Sequence, residues 1–339
     1  MTRRPPAVAR VLERVTKTAR EHEMFSPGDL VLVSCSGGPD SVCLLYALHH
    51  LRRLFRIRLA LFHFDHRLRA DSAKDAAYVR ALATRLELPF HLREAEDAPA
   101  KGESVEAWGF LARGRARTSV AAEIGAAKIA RAMTLDDRAE WVLVCLLSGA
   151  GPLGMAGQSP HRDMDVQPLF DVRREEVLAF CRALHLRPRW DPTNEDVSKL
   201  RAAIRHKVLP VMEEVRRGGA RKAIARTADQ LRMIEPLIRR EAASRGVRAE
   251  RWDGGFRFEI GREHGPPYGF VDRMSLASEF RVLGHRVTES DVEAVIDLAR
   301  GRPGRRRDLS EGLKAVREKE YVRVSRPGPP SQASPSLER

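Results

Sequence analysis

Cysteine is scarce in this chain. Its 339 residues include four, Cys35, Cys43, Cys145 and Cys181, and no two form a Cys-x-x-Cys pair. The usual zinc and iron–sulfur spacings are therefore missing, and the pattern suits a reducing compartment; the expected location is the cytoplasm. Long apolar runs are missing too. No stretch reaches the roughly 20 residues that span a bilayer, and Met1–Pro6 lacks the apolar core of an export signal, so no membrane partner is expected. Acidic residues are the minority, 46 against 60 basic, which leaves a net charge of +14 and points to a polyanionic partner such as nucleic acid. The Walker signature Gly-Lys-Ser/Thr is absent, which excludes that type of phosphate loop.

A different phosphate loop is present. Leu30 to Val33 reads as a buried parallel strand, and Val42, Leu44, Leu45 and Leu48 mark the apolar side of a helix. Between them lies Ser36-Gly-Gly-Pro-Asp-Ser41. A strand, a tight turn and a helix N-terminus together present free amides and a positive dipole end to an anion. Gly37 and Gly38 clear side chains from the approach, while Ser36 and Ser41 supply hydroxyls. Asp40 is out of place beside a polyanion unless a Mg²⁺ ion lies between them, which makes it the candidate metal ligand.

Further along, Ile57 to Phe64 reads as a second strand ending in His63-Phe-Asp-His66, where open α/β sheets bind ligands. A metal reading of His63, Asp65 and His66 is disfavoured because neighbours on a strand face opposite ways. Helices are expected over 71–86 and from about 103 to 124. Short strands are expected at 88–92, 127–133 and 166–170, helices at 141–147, 173–184 and 197–215, and a flexible loop at 149–154. Strands alternating with helices predict the α/β class, a doubly wound parallel sheet. After Gly218-Gly219 the pattern changes to one long amphipathic helix over 222–242. A smaller α+β unit follows, with a strand at 256–260, helices at 274–283 and 289–298, and a closing hairpin. The expected divisions are 1–216, 217–325 for a helical linker and small α+β unit, and 326–339 as a disordered tail.

The ordered landmarks resemble the tRNA(Ile)-lysidine synthetase family of PP-loop ATP pyrophosphatases. They are Ser36–Ser41, His63–Arg69, Glu103–Ala107, Leu135-Asp-Asp137 with Glu140, Gly149–Gly154, Gln167-Pro-Leu169, Asp191–Asn194, Ile204-Arg205 and Leu209-Pro210. The resemblance covers 28–214, and more loosely 272–324. It implies a ligase that adenylates the wobble cytidine of an isoleucine tRNA with a CAU anticodon, releases pyrophosphate, then joins L-lysine as AMP departs. ATP and Mg²⁺ are implied. The implied nucleotide contacts are Ser36, Gly37, Gly38, Pro39, Asp40, Ser41 and His63. Asp40, Asp136 and Asp137 are the implied catalytic groups, the aspartate pair holding the lysine ammonium. Asp136 and Asp137 also suit the first turn of a helix for dipole reasons alone. Arg201 and Arg205, four apart on one helical face, and Lys207 beside them are the implied RNA contacts. The reading admits a homodimer.

The chain departs from that family at polar positions. Met133-Thr134 stands where histidine is usual, Arg138 where glutamine is, and Trp141 where threonine is. Phe110 or Gly109 and Gln167 replace arginines, and Ala202 or Ala203 an asparagine. Another RNA-modifying ATP pyrophosphatase, or a catalytically degenerate nucleotide- or tRNA-binding paralogue, are the alternatives these departures raise.

Overall fold

The computed structural model describes residues 4–68, 72–99, 105–157, 159–190, 196–244, 248–252, 255–259, 270–282 and 288–326. Arg69, Glu103, Ser104, the 191–194 turn and the tail beyond 326 lie outside the described residues. Two compact units form: one takes in 1–144 and 157–227, the other 145–156 and 228–339. The second unit thus begins within a helix rather than at 217, and it claims a short segment from the middle of the chain.

The first unit opens with helix α1 (Pro6–Glu21), whose Val8, Val11, Leu12 and Val15 are buried. Then come β1 (Leu30–Ser34), α2 (Pro39–Phe55), β2 (Arg58–Asp65), α3 (Ser72–Leu86), β3 (Phe90–Glu94), α4 (Val105–Glu123) and β4 (Lys128–Ala130). They are followed by α5 (Leu135–Leu147), α6 (Gly151–Met155), β5 (His161–Arg162), β6 (Asp165–Val166) and α7 (Arg174–Ala183). The sheet order is β3-β2-β1-β4-β6-β5, parallel except for the β5–β6 hairpin. Strands β1 and β2 read as continuous apolar runs because helices cover both faces. Val31, Val33, Leu59 and Leu61 pack with α1, α2 and α7, and Leu32, Ala60 and Phe62 pack with α4. After α7, α8 (Leu200–Ala203) passes through a π-helical turn (Ile204–Val208) into α9 (Leu209–Val215), and α10 (Ala220–Ser244) follows.

Three expectations need correction. The strand expected at 166–170 is only Asp165–Val166. Gln167–Phe170 folds as a turn, closed by Phe170 N–H to Gln167 O at 3.0 Å. Leu169 and Phe170 are nonetheless buried, and an apolar run alone cannot separate a buried strand from a buried turn. The strand expected at 127–133 is three residues long. The loop expected at 149–154 contains helix α6; a Cβ on Gly154 would lie 2.6 Å from the Ala150 Cβ.

The second unit contains β7 (Arg248–Trp252), β8 (Gly255–Glu259), α11 (Phe270–Val282), α12 (Glu289–Arg300), β9 (Arg306–Asp308), β10 (Lys314–Arg317) and β11 (Tyr321–Ser325). Its antiparallel sheet runs β7-β8-β11-β10-β9. Phe256, Phe258, Leu276, Phe280, Val295, Leu313, Val322 and Val324 form its core. Thr288 caps α12 through a reciprocal bond with Asp291. The edge strands β7 and β9 carried no alternating apolar signal, so sequence reasoning missed them.

Candidate active site

The turn after β1 is built as an anion cradle. Gly37 has φ +91°, a conformation that side-chain-bearing residues rarely adopt. Its carbonyl accepts Arg189 N–H at 2.9 Å, which pins the turn from outside. Ser41 Oγ donates to Gly38 O at 2.9 Å and lies 3.3 Å from Ser36 Oγ. Pro39 occupies the first helical position, where no N–H is needed. The amides of Asp40 and Ser41 precede the first bond of α2, Val42 N–H to Gly38 O. The strand, tight turn and helix N-terminus expected from the sequence are all present. The buried ring of His63 donates from Nδ1 to Cys35 O at 2.8 Å and so braces the strand end beneath the turn. Asp65 accepts Arg67 N–H and the Ser72 hydroxyl.

Four carboxylates and four arginines gather beside the turn. Asp136 and Asp137 sit in the first turn of α5, where the helix dipole favours them. Thr134 N–H and Oγ1 donate to Asp137 Oδ2 at 2.9 and 2.8 Å, and Asp137 N–H returns to Thr134 Oγ1, so Thr134 is the helix cap. Arg174 joins the loop to this pair. Its Nη2 lies 3.4 Å from Asp40 and 3.3 Å from Asp137, and its backbone N–H donates to Asp136 at 2.7 Å. Glu140, one turn beyond Asp137 and 1% exposed, accepts Arg201 Nε at 2.8 Å and both Nε and Nη2 of Arg205 at 2.6 and 2.7 Å. Arg201 also reaches Asp137 at 2.8 Å, and Arg221 reaches Asp136 at 3.0 Å.

The expected RNA face is therefore redrawn. Arg201 and Arg205 turn to Asp137 and Glu140 rather than forming an unpaired basic surface, while Lys207 is exposed. Sequence reasoning missed Arg174 and gave Glu140 no role. The signal for Glu140 was its spacing from Asp137, i to i+3 on one helical face. Arg174 had no local signal, because its role depends on α7 meeting α2 and α5. Arg138 also surprises. It is buried, stacks 3.8 Å over the Phe170 ring, pairs with Asp171 at 2.9 Å and donates to Ala225 O. That side chain fastens elements together and does not enter the carboxylate group.

The environments push the carboxylates apart. Burial, then the Asp137 charge, raises the Asp40 pKa to about 7 against the pull of Arg174 and Arg205. Asp136 is also raised, by burial opposed by the Arg174 amide and Arg221. Burial alone would raise Asp137, but Arg201, Arg174 and Thr134 overcome it and hold Asp137 below its ordinary value. Asp137 is thus held ionised at neutral pH, and a further cation beside Asp40 would favour its ionised form. Asp40 Oδ1 is buried without a partner, which fits a Mg²⁺ ion bound there. Among the described residues no three or more His, Cys, Asp or Glu side chains are placed to hold a metal ion together. Any ion at Asp40 would therefore be completed by phosphate oxygens and water.

A parallel α/β sheet with a glycine-rich anion turn at a strand's carboxyl end defines a nucleotide-binding protein. The chain belongs to the ATP-binding PP-loop domain family, which matches residues 8–212. Among curated proteins, it is 37% identical over 305 residues to the tRNA(Ile)-lysidine synthase of Symbiobacterium thermophilum, covering 87% of this chain and 61% of that protein. It is 40% identical over 236 residues to the tRNA(Ile)-lysidine synthase of Geobacter sulfurreducens, covering 68% and 50%. The chain thus spans only about half to three-fifths of these relatives' length. The fold resembles a U34-tRNA thiolase from Methanococcus maripaludis, solved with its 4Fe–4S cluster. That likeness has a TM-score of 0.58 at 17% identity, over 67% of this chain and 80% of the other. No helix among the described residues is long and apolar enough to cross a membrane.

Proposed function

We propose that this chain joins L-lysine to the wobble cytidine of an isoleucine tRNA at the expense of ATP. One observation carries the reading: Arg174 ties the anion turn, through Asp40, to the ionised Asp137 within one site. The curated relatives' names support the same reaction. In it, the ring carbonyl oxygen of cytidine attacks the α-phosphorus of ATP, and pyrophosphate leaves. The amine of lysine then attacks the activated ring carbon, and AMP departs with the oxygen. The loop amides would hold the leaving phosphates through pre-aimed donors. Bound at Asp40, Mg²⁺ would neutralise phosphate charge. Asp137 and Glu140 would receive the lysine ammonium by exchanging it for an arginine, and Asp136, whose pKa burial raises, would accept a proton as the amine becomes a nucleophile.

Exposed Lys207 and the exposed Arg305, Arg306 and Arg307 would contact tRNA phosphates, giving affinity without sequence choice. The unit beyond 217 is the proposed tRNA-binding part, and a homodimer is compatible with the reading. The test measures AMP and pyrophosphate formed from ATP with bacterial tRNA, with and without lysine. AMP that depends on both supports the proposal. ATP binding without turnover would make the chain a non-catalytic binder, and turnover indifferent to lysine would assign another amine or donor.

A further inference from the structure

The anion turn is held in place by a segment far from it in sequence. Gly37 and Gly38 carry no side chains, so the peptide between them is free to place its carbonyl on either side of the turn. Only one of those orientations serves an anion. In a planar trans peptide the C=O and the following N–H point opposite ways, so the direction of Gly37 O fixes that of Gly38 N–H. Arg189 N–H donates to Gly37 O at 2.9 Å. The Gly38 amide is thereby turned to the other side, where Ser36 Oγ lies 3.4 Å from it and Ser41 Oγ lies 3.3 Å from Ser36 Oγ. A contact of 3.4 Å is long for an N–H donor, which leaves this amide ready for a stronger acceptor.

The side chain of Arg189 makes that contact firmer than an ordinary loop bond. Its Nε donates to Asp75 Oδ1 at 2.7 Å, and Asp75 sits in the first turn of α3. A charge-assisted bond of this length belongs to the strong kind. The stem of Arg189 lies along the turn as well. A Cβ on Gly37 would meet Arg189 Cγ at 3.6 Å, beside Tyr78 and Val79 of the same α3. The main chain of Arg189 therefore holds the turn, and Asp75 holds Arg189. Asp75 and Arg189 lie 114 residues apart, so this connection forms only once α3 and the segment after α7 have come together.

We propose that Asp75 and Arg189 are positioning residues for the anion turn: the pair keeps Gly37 O turned outward and so keeps the Gly38 amide aimed at the pyrophosphate portion of ATP, given that this turn is the pyrophosphate cradle of the proposed reaction. Neither side chain is assigned a contact with substrate. Donors fixed before the ligand arrives need no reorganisation on binding, so loosening the pair weakens binding although every amide of the turn is still there.

Calorimetry on the full chain measures affinity for inorganic pyrophosphate and for ATP, each with magnesium. Arg189→Met keeps the backbone N–H but loses the tie to Asp75. It is expected to weaken both ligands about tenfold. Asp75→Asn should act in the same direction. Because the two residues work as one unit, the double variant should bind pyrophosphate within about twofold of the weaker single variant. Arg189→Lys keeps a charge within reach of Asp75 and should recover part of the loss. Thermal scans confirm that each variant is folded at the temperature of measurement. A lower melting temperature with unchanged pyrophosphate affinity would give the pair a purely structural role and overturn the proposal, as would losses that simply add in the double variant. Neither tRNA nor lysine is present, so the result does not depend on the ligase reaction. A wild-type chain that binds neither pyrophosphate nor ATP would end the cradle reading itself, and the proposal with it. Wild-type binding matched by every variant would end the proposal alone.

Discussion

The guanidinium of Arg174 lies 3.4 Å from Asp40, although 134 residues separate them in sequence. This contact offsets only part of what burial and Asp137 impose, because Asp40 still has its pKa raised from 3.8 to about 7. The folded state therefore holds the Asp40 proton more tightly than the unfolded chain does. Stability from this source is lost as pH rises from about 4 through 7. In magnesium-free buffer, Asp40→Asn should gain melting temperature over wild type progressively across that window. The expected gain is about 2–4 °C per kcal/mol relieved. Thermal scans at pH 4.5 and 8 check it, and an unchanged difference between the two proteins would refute the assignment.

Glu140 is the most enclosed carboxylate of the site, and it satisfies two arginines at once. Glu140→Gln leaves Arg201 and Arg205 without that charge. A loss of about 3 kcal/mol is expected, since breaking a buried pair strands its partner. Urea denaturation measures it. Adding Arg205→Met to the same chain should recover part of the loss.

Arg138 directly follows the aspartate pair and stands where the resembling family usually has glutamine. Its contacts with Phe170, Asp171 and Ala225 point to fastening instead. Arg138→Gln is expected to cost about 1–3 kcal/mol of stability. ATP affinity, measured by calorimetry below the new unfolding range, should stay within twofold.

Gly37 is held by both conformation and space. At φ +91° an alanine is strained, and its Cβ would meet Tyr78 Cδ1 at 3.3 Å and Val79 at 3.5 Å. Gly37→Ala should cost about 1–2 kcal/mol in the turn. Nucleotide binding should weaken by about tenfold if that strain is relieved by moving the amides. Equilibrium binding of ATP tests this, with Gly114→Ala as control because a Cβ there meets nothing within 4 Å.

The alternation of strands and helices in the first unit was legible because each element carries its own periodicity. Buried strands show as runs of Leu and Val, and helices as apolar stripes. The anion turn was legible for a related reason: its glycines, serines and proline act within six consecutive residues. Strand ends were not legible. Leu169 and Phe170 are as apolar as a strand yet lie in a turn, and Arg248–Trp252 and Arg306–Asp308 pair as strands without an apolar pattern.

Local chemistry alone determined the phosphate cradle, the parallel sheet and the presence of an acidic pair at a helix start. Only the tertiary structure decided which arginine meets which carboxylate. Arg201 and Arg205 read as a basic stripe along a helix, yet that face packs against α5 and is neutralised there by Asp137 and Glu140. Charge pairing across separations of 37 to 134 residues depends on how helices cross, and no spacing within one helix encodes that.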